Sequence, residues 1–341
     1  MIYDRACDVL ASDQFLELPG YQPTFTTYLK LEGLNPAGSI KVKPAREMIR
    51  NAEAQGRIGP GSRIIESTSG NLGVALASIC ATRGYHITLV IDPNTNARTV
   101  RFIRALGAEV VTVTERDSIG GYLNTRIDYI RKRTAADPRL LWLNQYANPG
   151  NADAHRKYTV REIVDGFGFP DWLFVGTGTS GTLMGCVRGL RELGAPTTVV
   201  AVDAAGSVTF GFPPGQRRIP GIGASRRPEL CVDDGSFLKS LVTEPDTIRT
   251  CRRVAREYGL LLGGSSGSVL SAVSAMRHTI APGSRVLAIS PDMGDAYLDT
   301  IYNDQWVAER YDASVLTAGP DLDGAEYLPT LLDGTCLISR P

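Results

Sequence analysis

The sequence predicts an α/β protein with two open parallel sheets and a ligand held between them. Three observations carry that expectation. Strand-like and helix-like runs alternate along most of the chain. One layout, strand, glycine-rich loop, helix, strand, occurs twice, about a hundred residues apart. The chain has 341 residues, 43% of them apolar and 21% charged, which suits two ordinary globular domains, each with its own core.

The elements follow in order. Residues 34–41 form a turn-rich loop, Leu34-Asn35-Pro36-Ala37-Gly38-Ser39-Ile40-Lys41, that delivers a lysine to the start of a helix at 44–49. The first repeat has a strand at 63–66, the loop Ser67-Thr68-Ser69-Gly70-Asn71-Leu72-Gly73, a helix at 74–83 and a strand at 86–91. A third unit begins at 110–113. The second repeat has a strand at 172–175, the loop Gly176-Thr177-Gly178-Thr179-Ser180-Gly181-Thr182, a helix at 183–193 and a strand at 198–202. Residues 210–228, rich in Pro, Gly and Arg, are too long and too punctuated for a simple connector and read as a binding loop. Gly263-Gly264-Ser265-Ser266-Gly267-Ser268 precedes a helix at 269–277, and a last strand lies at 285–290. The expected division is a smaller domain, 44–148, and a larger one, 1–43 with 149–310. Residues 311–341 form a tail that packs on a partner subunit.

Composition excludes several function classes. Lys plus Arg and Asp plus Glu are both 36, so net charge gives no argument for nucleic acid or a membrane surface. The six cysteines form no CxxC pair and the three histidines no cluster, so no metal is expected and scattered thiols suit a reducing cytosol. No apolar signal region follows Met1, and no apolar run reaches membrane-spanning length. The expectation is a cytoplasmic homodimer acting on small molecules.

The loops carry the chemistry. A lysine held by a tight loop at a domain edge can be desolvated, and its neutral amine is then a nucleophile able to form a Schiff base. A solvated loop lysine would look the same. Gly176-Thr177-Gly178-Thr179-Ser180-Gly181 fits GxGxxG between strand and helix, and Asp203 ends the next strand. That is the pattern of a dinucleotide site for NAD. The underlying physics is broader, because N–H groups at a helix N-terminus bind any phosphate. The hydroxyls of Thr177, Thr179, Ser180 and Thr182 suit a terminal phosphate monoester. Thr68 and Ser69 hydroxyls at a helix start make a carboxylate clamp, or an ordinary N-cap. The Asn71 amide can bond a phenolic oxygen, and a serine of the third loop can bond a ring nitrogen.

Together these loops resemble the site of the fold type II pyridoxal-phosphate enzymes, the cysteine synthase and cystathionine β-synthase family. The resemblance runs from about residue 31 to 299. It rests on Asn35-Pro36-Ala37-Gly38-Ser39-Ile40-Lys41, Thr68-Ser69-Gly70-Asn71-Leu72-Gly73, Gly178-Thr179-Ser180-Gly181-Thr182 and Gly263-Gly264-Ser265-Ser266-Gly267, in family order and spacing. It implies pyridoxal 5′-phosphate on Lys41, Asn71 on the cofactor's 3′ oxygen, and Gly178, Thr179, Ser180, Gly181 and Thr182 around its phosphate. It places Ser265, with Ser266 as the alternative, at the pyridine nitrogen, and Thr68, Ser69 and Gln145 on the substrate carboxylate. The chain departs from the family at Val42-Lys43, where an acid and an arginine usually follow the lysine, which puts local salt bridging in doubt. It departs again at Leu72 and Tyr146, usually threonine and phenylalanine in cysteine synthases.

A narrower set of stretches is similar to the N-(2-amino-2-carboxyethyl)-L-glutamate synthase branch: Glu66 to Gly73, Gly120 to Ile127, Asn144 to Asn148, and Ala204 to Val208 with Pro220 to Arg226. That branch joins O-phospho-L-serine to L-glutamate, releasing phosphate, on the way to 2,3-diaminopropionate for siderophores or peptide antibiotics. The likeness implies β-replacement, with cations for the leaving phosphate and for glutamate. Of Arg217, Arg218, Arg226 and Arg227, Arg226 is the choice, because it follows Gly221-Ile222-Gly223-Ala224-Ser225, which in the family lines the active-site mouth. Arg126 and Tyr146 are the candidates for glutamate. Cysteine or S-sulfocysteine synthesis is the alternative within this fold, and an NAD-dependent oxidoreductase the alternative outside it.

Overall fold

The computed structural model describes residues 2–10, 13–68, 70–117 and 121–317. In chain order the strands are β1 (Phe15–Glu17), β2 (Thr26–Leu31), β3 (Arg63–Ser67), β4 (His86–Ile91), β5 (Glu109–Thr112), β6 (Leu140–Trp142), β7 (Trp172–Gly176), β8 (Thr198–Ala204), β9 (Leu238–Val242) and β10 (Arg285–Ser290). The helices that matter are α1 (Val42–Ala54), α2 (Asn71–Arg83), α3 (Ala97–Ala105), α4 (Leu123–Ala136), α5 (Pro149–Ala154), α6 (Val160–Gly166), α7 (Gly181–Glu192), α8 (Glu244–Tyr258) and α9 (Gly264–Ala275). A wide π-helical turn, His155–Thr159, joins α5 to α6.

The larger sheet has the order β1-β2-β10-β7-β8-β9 and the smaller β5-β4-β3-β6. Every pairing is parallel except β1 with β2 at the edge. Parallel strands covered on both faces need apolar side chains in both directions. In β3, Ile64 packs with Leu76, Leu89 and Ile103 on one face, while Ile65 packs with Val90, Ile130 and Leu140 on the other. In the larger sheet Phe174, Val200 and Val202 meet Val269 and Leu270, while Leu173, Val175 and Ala201 meet Leu183 and Leu190. The period of two along each strand feeds two cores.

Topology positions the site. In the smaller sheet the chain runs from β3 outward to β4 and β5, then returns to β6 on the other side of β3. In the larger sheet it runs from β7 to β8 and β9, then returns to β10 on the other side of β7. Each reversal opens a crevice beyond the carboxyl ends of the two strands, where open α/β sheets take ligands. The loops after β3, β6, β7 and β10 therefore all face one cleft, and the loop after β2 brings Lys41 to it.

Three helices begin earlier than the sequence suggested: α2 at Asn71 rather than 74, α7 at Gly181 rather than 183, α9 at Gly264 rather than 269. Glycine and serine have low helix propensity, so the pattern delays the start. Those first turns carry the unpaired N–H groups of a helix N-terminus, and burial of the helices against the sheets, not propensity, keeps them helical. At the far end, Val315 in the helix Ser314–Thr317 is buried beside Tyr297 and Ile301, so the first residues assigned to a tail pack on the body. The remainder of that tail lies outside the described residues.

Candidate active site

Lys41 is placed by the amide of Asn35. Its Nδ2 donates to Glu32 O (2.8 Å) and Ser39 O (3.0 Å), while its Oδ1 accepts from Ala37 N (3.0 Å). Gly38 turns the loop at φ +69°, a left-handed conformation that favours glycine. Ser39 bridges to Asp292 and Ile40 N donates to Pro291 O (2.8 Å), fixing the loop to the end of β10. Lys41 ends as the N-cap residue of α1, half-buried, with its side chain on the cleft. Burial pushes its amine down to about 8, against the pull of Asp292.

The departure at Val42-Lys43 does not remove local salt bridging, contrary to the expectation. Lys43 is fully buried, with Nζ 2.8 Å from the Glu32 carboxylate and 2.5 Å from Glu162. Lys30 joins the same two carboxylates at 2.8 Å. Local salt bridging is thus supplied by Lys43 of the helix and Lys30 of β2 as cations, with Glu32 and Glu162 as their acids.

The loop after β7 is a cradle. Ser180 holds φ +65°, a strained conformation for a non-glycine residue, at the N-terminus of α7. Thr177 Oγ1 and Ser180 Oγ are buried without a hydrogen bond of standard geometry, although the Cys231 thiol lies beside Ser180. A Cβ on Gly178 would meet Gly221 O at 3.2 Å, and one on Gly181 would meet Asn151 Oδ1 at 2.1 Å. Asn151 Nδ2 in turn donates to Thr179 Oγ1 (2.9 Å) and Gln145 O (2.8 Å). Thr182 Oγ1 is 3.2 Å from His155 Nε2. Unpaired hydroxyls and bare glycines at a helix N-terminus fit a phosphate monoester.

Of the two candidate serines, Ser266 Oγ is engaged by Ser290 Oγ at 2.9 Å. Ser265 Oγ lies 3.7 Å from the Cβ position of Gly221, which lines the cleft. Both sit in the first turn of α9.

The smaller sheet supplies the opposite wall. Asn71 Nδ2 donates to Asp292 Oδ2 (2.7 Å), as does Tyr297 Oη (2.8 Å). Burial pushes Asp292 up to about 6, and its Oδ1 has no partner. Thr68 Oγ1 accepts from Gly70 N and Gly73 N, both at 3.2 Å, so its hydroxyl shapes the loop from within. Gln145 Nε2 donates to Ser67 O (2.8 Å). Ser69 lies outside the described residues. Tyr146 lines the cleft, and burial raises its phenol while Arg126, Arg217 and Arg226 pull it down. Arg126 is buried on α4, 3.4 Å from Asp92, with Nε and Nη1 unbonded.

The loop after β8 closes the mouth. Gly223 (φ +75°) donates its N–H to Thr177 O (2.7 Å), and a Cβ there would strike Arg217 Nη1. Arg217 donates to Ser225 Oγ (2.8 Å) and its Nε is unbonded. Arg226 pairs with Glu229 and is 27% exposed, so Arg217, passed over in the sequence, is the more enclosed cation. Arg218 lines the cleft from its rim. The cleft holds about 240 Å³.

Comparisons with known proteins agree with this geometry. The sequence model of the family described as "pyridoxal-phosphate dependent enzyme" matches residues 13–292. The chain belongs to that family. It is 43% identical over 309 residues to a protein of Ralstonia nicotianae named N-(2-amino-2-carboxyethyl)-L-glutamate synthase, covering 89% of this chain and 90% of the relative. A protein of the same name in Cupriavidus metallidurans is 42% identical over 285 residues, covering 82% and 84%. Among solved structures, O-ureido-L-serine synthase superposes with a TM-score of 0.79 at 29% identity, covering 93% of this chain and 100% of that one. The O-acetylserine-dependent cystathionine β-synthase of Helicobacter pylori gives 0.81 at 29% identity, covering 89% and 100%.

The protein is thus a fold type II, cysteine-synthase-like enzyme of β-replacement, and its cofactor is pyridoxal 5′-phosphate. The dinucleotide alternative fails on its own acid. Asp203 is fully buried and accepts from Ala204 N (2.9 Å), out of reach of a ribose. Sequence reasoning missed Asp292, Tyr297, Asn151 and His155. No motif marks them: Asp292, Asn151 and His155 act through contacts with residues distant in the chain, and Tyr297 acts through Asp292.

Proposed function

We propose that this enzyme replaces the β-substituent of O-phospho-L-serine by the amine of L-glutamate, giving N-(2-amino-2-carboxyethyl)-L-glutamate and phosphate. One observation carries the reading. Behind Tyr146, which lines the cleft, buried Arg126 and half-buried Arg217 have guanidinium nitrogens left without a hydrogen bond, and Arg226 follows on the same mouth loop as Arg217. A small thiol needs no such field. A phosphate dianion and a dicarboxylate do, and guanidinium forks recognise both. The two relatives named for this product support the same reading.

Residue roles follow. Gly178, Thr179, Ser180, Gly181 and Thr182 hold the cofactor phosphate, Ser265 meets the pyridine nitrogen as a neutral hydroxyl, and Asn71 meets the 3′ oxygen. When bound, pyridoxal phosphate supplies the electron sink that acidifies the substrate's α-proton and lets the β-substituent leave. Lys41 Nζ anchors the cofactor and then takes the α-proton, for which an amine near 8 is suited. The N–H groups around Thr68, Ser69 and Asn71, with Gln145, hold the substrate carboxylate. Arg217 and Arg226 draw out the phosphate. Arg126 and Tyr146 receive glutamate's carboxylates and set its amine toward the β-carbon.

The experiment is product mass spectrometry with O-phospho-L-serine and a panel of amines and thiols. The expected result is the glutamate adduct with stoichiometric phosphate. Faster consumption of sulfide or thiosulfate would put cysteine or S-sulfocysteine synthesis in its place. The pathway context, 2,3-diaminopropionate for a siderophore or peptide antibiotic, belongs to this proposal, as do a homodimeric state, a cytoplasmic site and the domain division at 44–148. Among the described residues no helix is long and apolar enough to cross a membrane.

A further inference from the structure

The buried ion cluster under Lys41 is connected to the phosphate cradle by four side chains. Lys43 Nζ reaches Thr159 Oγ1 (3.3 Å), Thr159 Oγ1 reaches His155 Nδ1 (3.0 Å), and His155 Nε2 reaches Thr182 Oγ1 (3.2 Å). Lys43, His155 and Thr159 are fully buried, whereas Thr182 is half-buried. Nothing in the reaction proposed above uses His155 or Thr159.

Hydrogen-bond chemistry gives this row a direction. A lysine ammonium only donates. Lys43 Nζ has three N–H bonds and three acceptors: Glu32, Glu162 and Thr159. Thr159 Oγ1 therefore accepts from Lys43, and its own single proton is left for His155 Nδ1, its other neighbour. A neutral imidazole that accepts at Nδ1 carries its proton on Nε2. Burial, with Lys43, Lys41 and Lys30 nearby, keeps this imidazole well below its ordinary value, hence neutral. Nε2–H then donates to Thr182 Oγ1, so the Thr182 proton must point away from His155.

The fold brings the row together by close helix packing. Gly181, Gly185 and Gly189 form one stripe on α7. A Cβ on Gly185 would meet Ala152 O at 2.4 Å and His155 Cβ at 2.5 Å, and one on Gly189 would meet Val160 Cγ2 at 2.9 Å. The stripe lets α7 lie against α5, the π turn and α6, and the π turn sets His155 and Thr159 side by side.

We infer that Lys43, Thr159 and His155 are positioning residues that fix the Thr182 hydroxyl as a donor to the cofactor phosphate. The inference rests on the reading that Thr182 belongs to the phosphate cradle. A free threonine hydroxyl can point either way. Here one rotor state is selected before the cofactor arrives, and no charge is placed beside the phosphate itself.

Two measurements test this. The first is ¹⁵N NMR of the imidazoles in the apoprotein and holoenzyme, with His155 assigned by His155→Gln. The expected signature is an Nε2–H tautomer that does not titrate between about pH 6 and 8. An Nδ1–H tautomer, or a ring that protonates in that range, overturns the inference while leaving the cradle intact. The second is cofactor affinity of apoprotein carrying Thr159→Val, Thr182→Val or both, read by reconstitution titration and by the ³¹P shift of the bound cofactor. Thr182→Val should weaken binding roughly tenfold, as for one hydrogen bond to a charged group. Thr159→Val should weaken it by about threefold to tenfold alone but add little in the Thr182→Val background, because both break one row. Thr159→Ser should restore affinity, which separates the hydroxyl's role from a packing defect. Full additivity of the two substitutions overturns the relay. Unchanged affinity and ³¹P shift in Thr182→Val overturn the cradle reading and the inference with it.

Discussion

The cofactor cradle and the substrate side of the cleft differ in the kind of polar group they leave unbonded. On the larger-sheet wall the unbonded side-chain atoms facing the cradle are neutral hydroxyls, Thr177 Oγ1 and Ser180 Oγ, at a helix N-terminus. On the substrate side they are mostly charged or ionisable: Arg126 Nε and Nη1, Arg217 Nε, and Glu66 Oε2, whose carboxyl burial pushes up to about 7, with the Ser67 hydroxyl beside them. Unbonded buried groups are costly and persist where a ligand completes them. Neutral hydroxyls around fixed N–H groups suit a phosphate that stays. Guanidinium edges suit anions that come and go with each turnover. One region is a cofactor seat and the other a substrate seat, and the two sheets meet at the mouth through Asn71 to Asp292, Asn96 Nδ2 to Ala296 O (2.9 Å) and Arg98 to Asp295.

The comparison breaks most sharply at Lys41, which serves both seats. Lys41→Ala should lose covalent cofactor attachment and lower turnover by about 10²–10⁴-fold. Borohydride reduction of the wild type followed by peptide mass spectrometry should place the cofactor on Lys41. Finding it on Lys43 would contradict the structure, where Lys43 is enclosed by Glu32 and Glu162.

Gly178→Asp attacks the cofactor seat alone. The new Cβ would crowd Gly221 O at 3.2 Å, and its carboxylate would repel a phosphate. The purified variant should carry little cofactor yet remain folded by circular dichroism. Normal cofactor content would mean that the phosphate is held elsewhere.

Arg126→Ala attacks the substrate seat alone. Phosphate release from O-phospho-L-serine in a single turnover should proceed nearly as in wild type, while product formation from glutamate falls by about tenfold to a hundredfold. Equal loss in both half-reactions would make Arg126 a structural partner of Asp92.

A pH series sharpens the distinction, because only the cofactor seat depends on Lys41 being neutral before loading. Its amine is held down to about 8, so below that pH it is mostly ammonium and cannot attack an aldehyde. Cofactor capture by apoprotein, followed by stopped-flow absorbance, should therefore quicken as pH rises through about 8 and then level off. A flat profile between pH 7 and 9 would place the amine's titration elsewhere.

The two seats were also unequally legible in the sequence. The cofactor seat is made of runs: Gly178 through Thr182 and Asn35 through Lys41 are contiguous, because a helix N-terminus or tight turn is a local object. Six strands were readable for the same reason, since the continuous apolar runs at 86–91 and 285–290 are local, whereas β1, β2, β6 and β9 were not read. The substrate seat is assembled from α4, the loop after β6 and the loop after β8, and only tertiary packing brings Arg126, Tyr146 and Arg217 together. His155, Thr159 and Asp292 were invisible on the same ground. A buried polar residue declares itself through its partners, and those lie up to 221 residues away, as Asn71 does from Asp292.

Arg217 and Arg226 give the finest test, because sequence position favoured one and burial favours the other. Arg226 follows the mouth loop directly, but it pairs with Glu229 and is partly solvated. An exposed pair of this kind is worth about 0–1 kcal/mol, so Arg226→Ala should change the preference for O-phospho-L-serine over O-acetyl-L-serine by no more than about fivefold. Arg217 is more enclosed, burial holds its guanidinium below the usual value, and its Nε has no partner. A phosphate that completed it would gain a charge-assisted bond, so Arg217→Ala should shift the same preference by about tenfold to a hundredfold. The ratio of kcat/KM for the two donors measures this without reference to overall activity. A larger shift from Arg226→Ala than from Arg217→Ala would mean that the Glu229 pair opens when substrate binds, and that the mouth loop, not the buried cation, selects the leaving group.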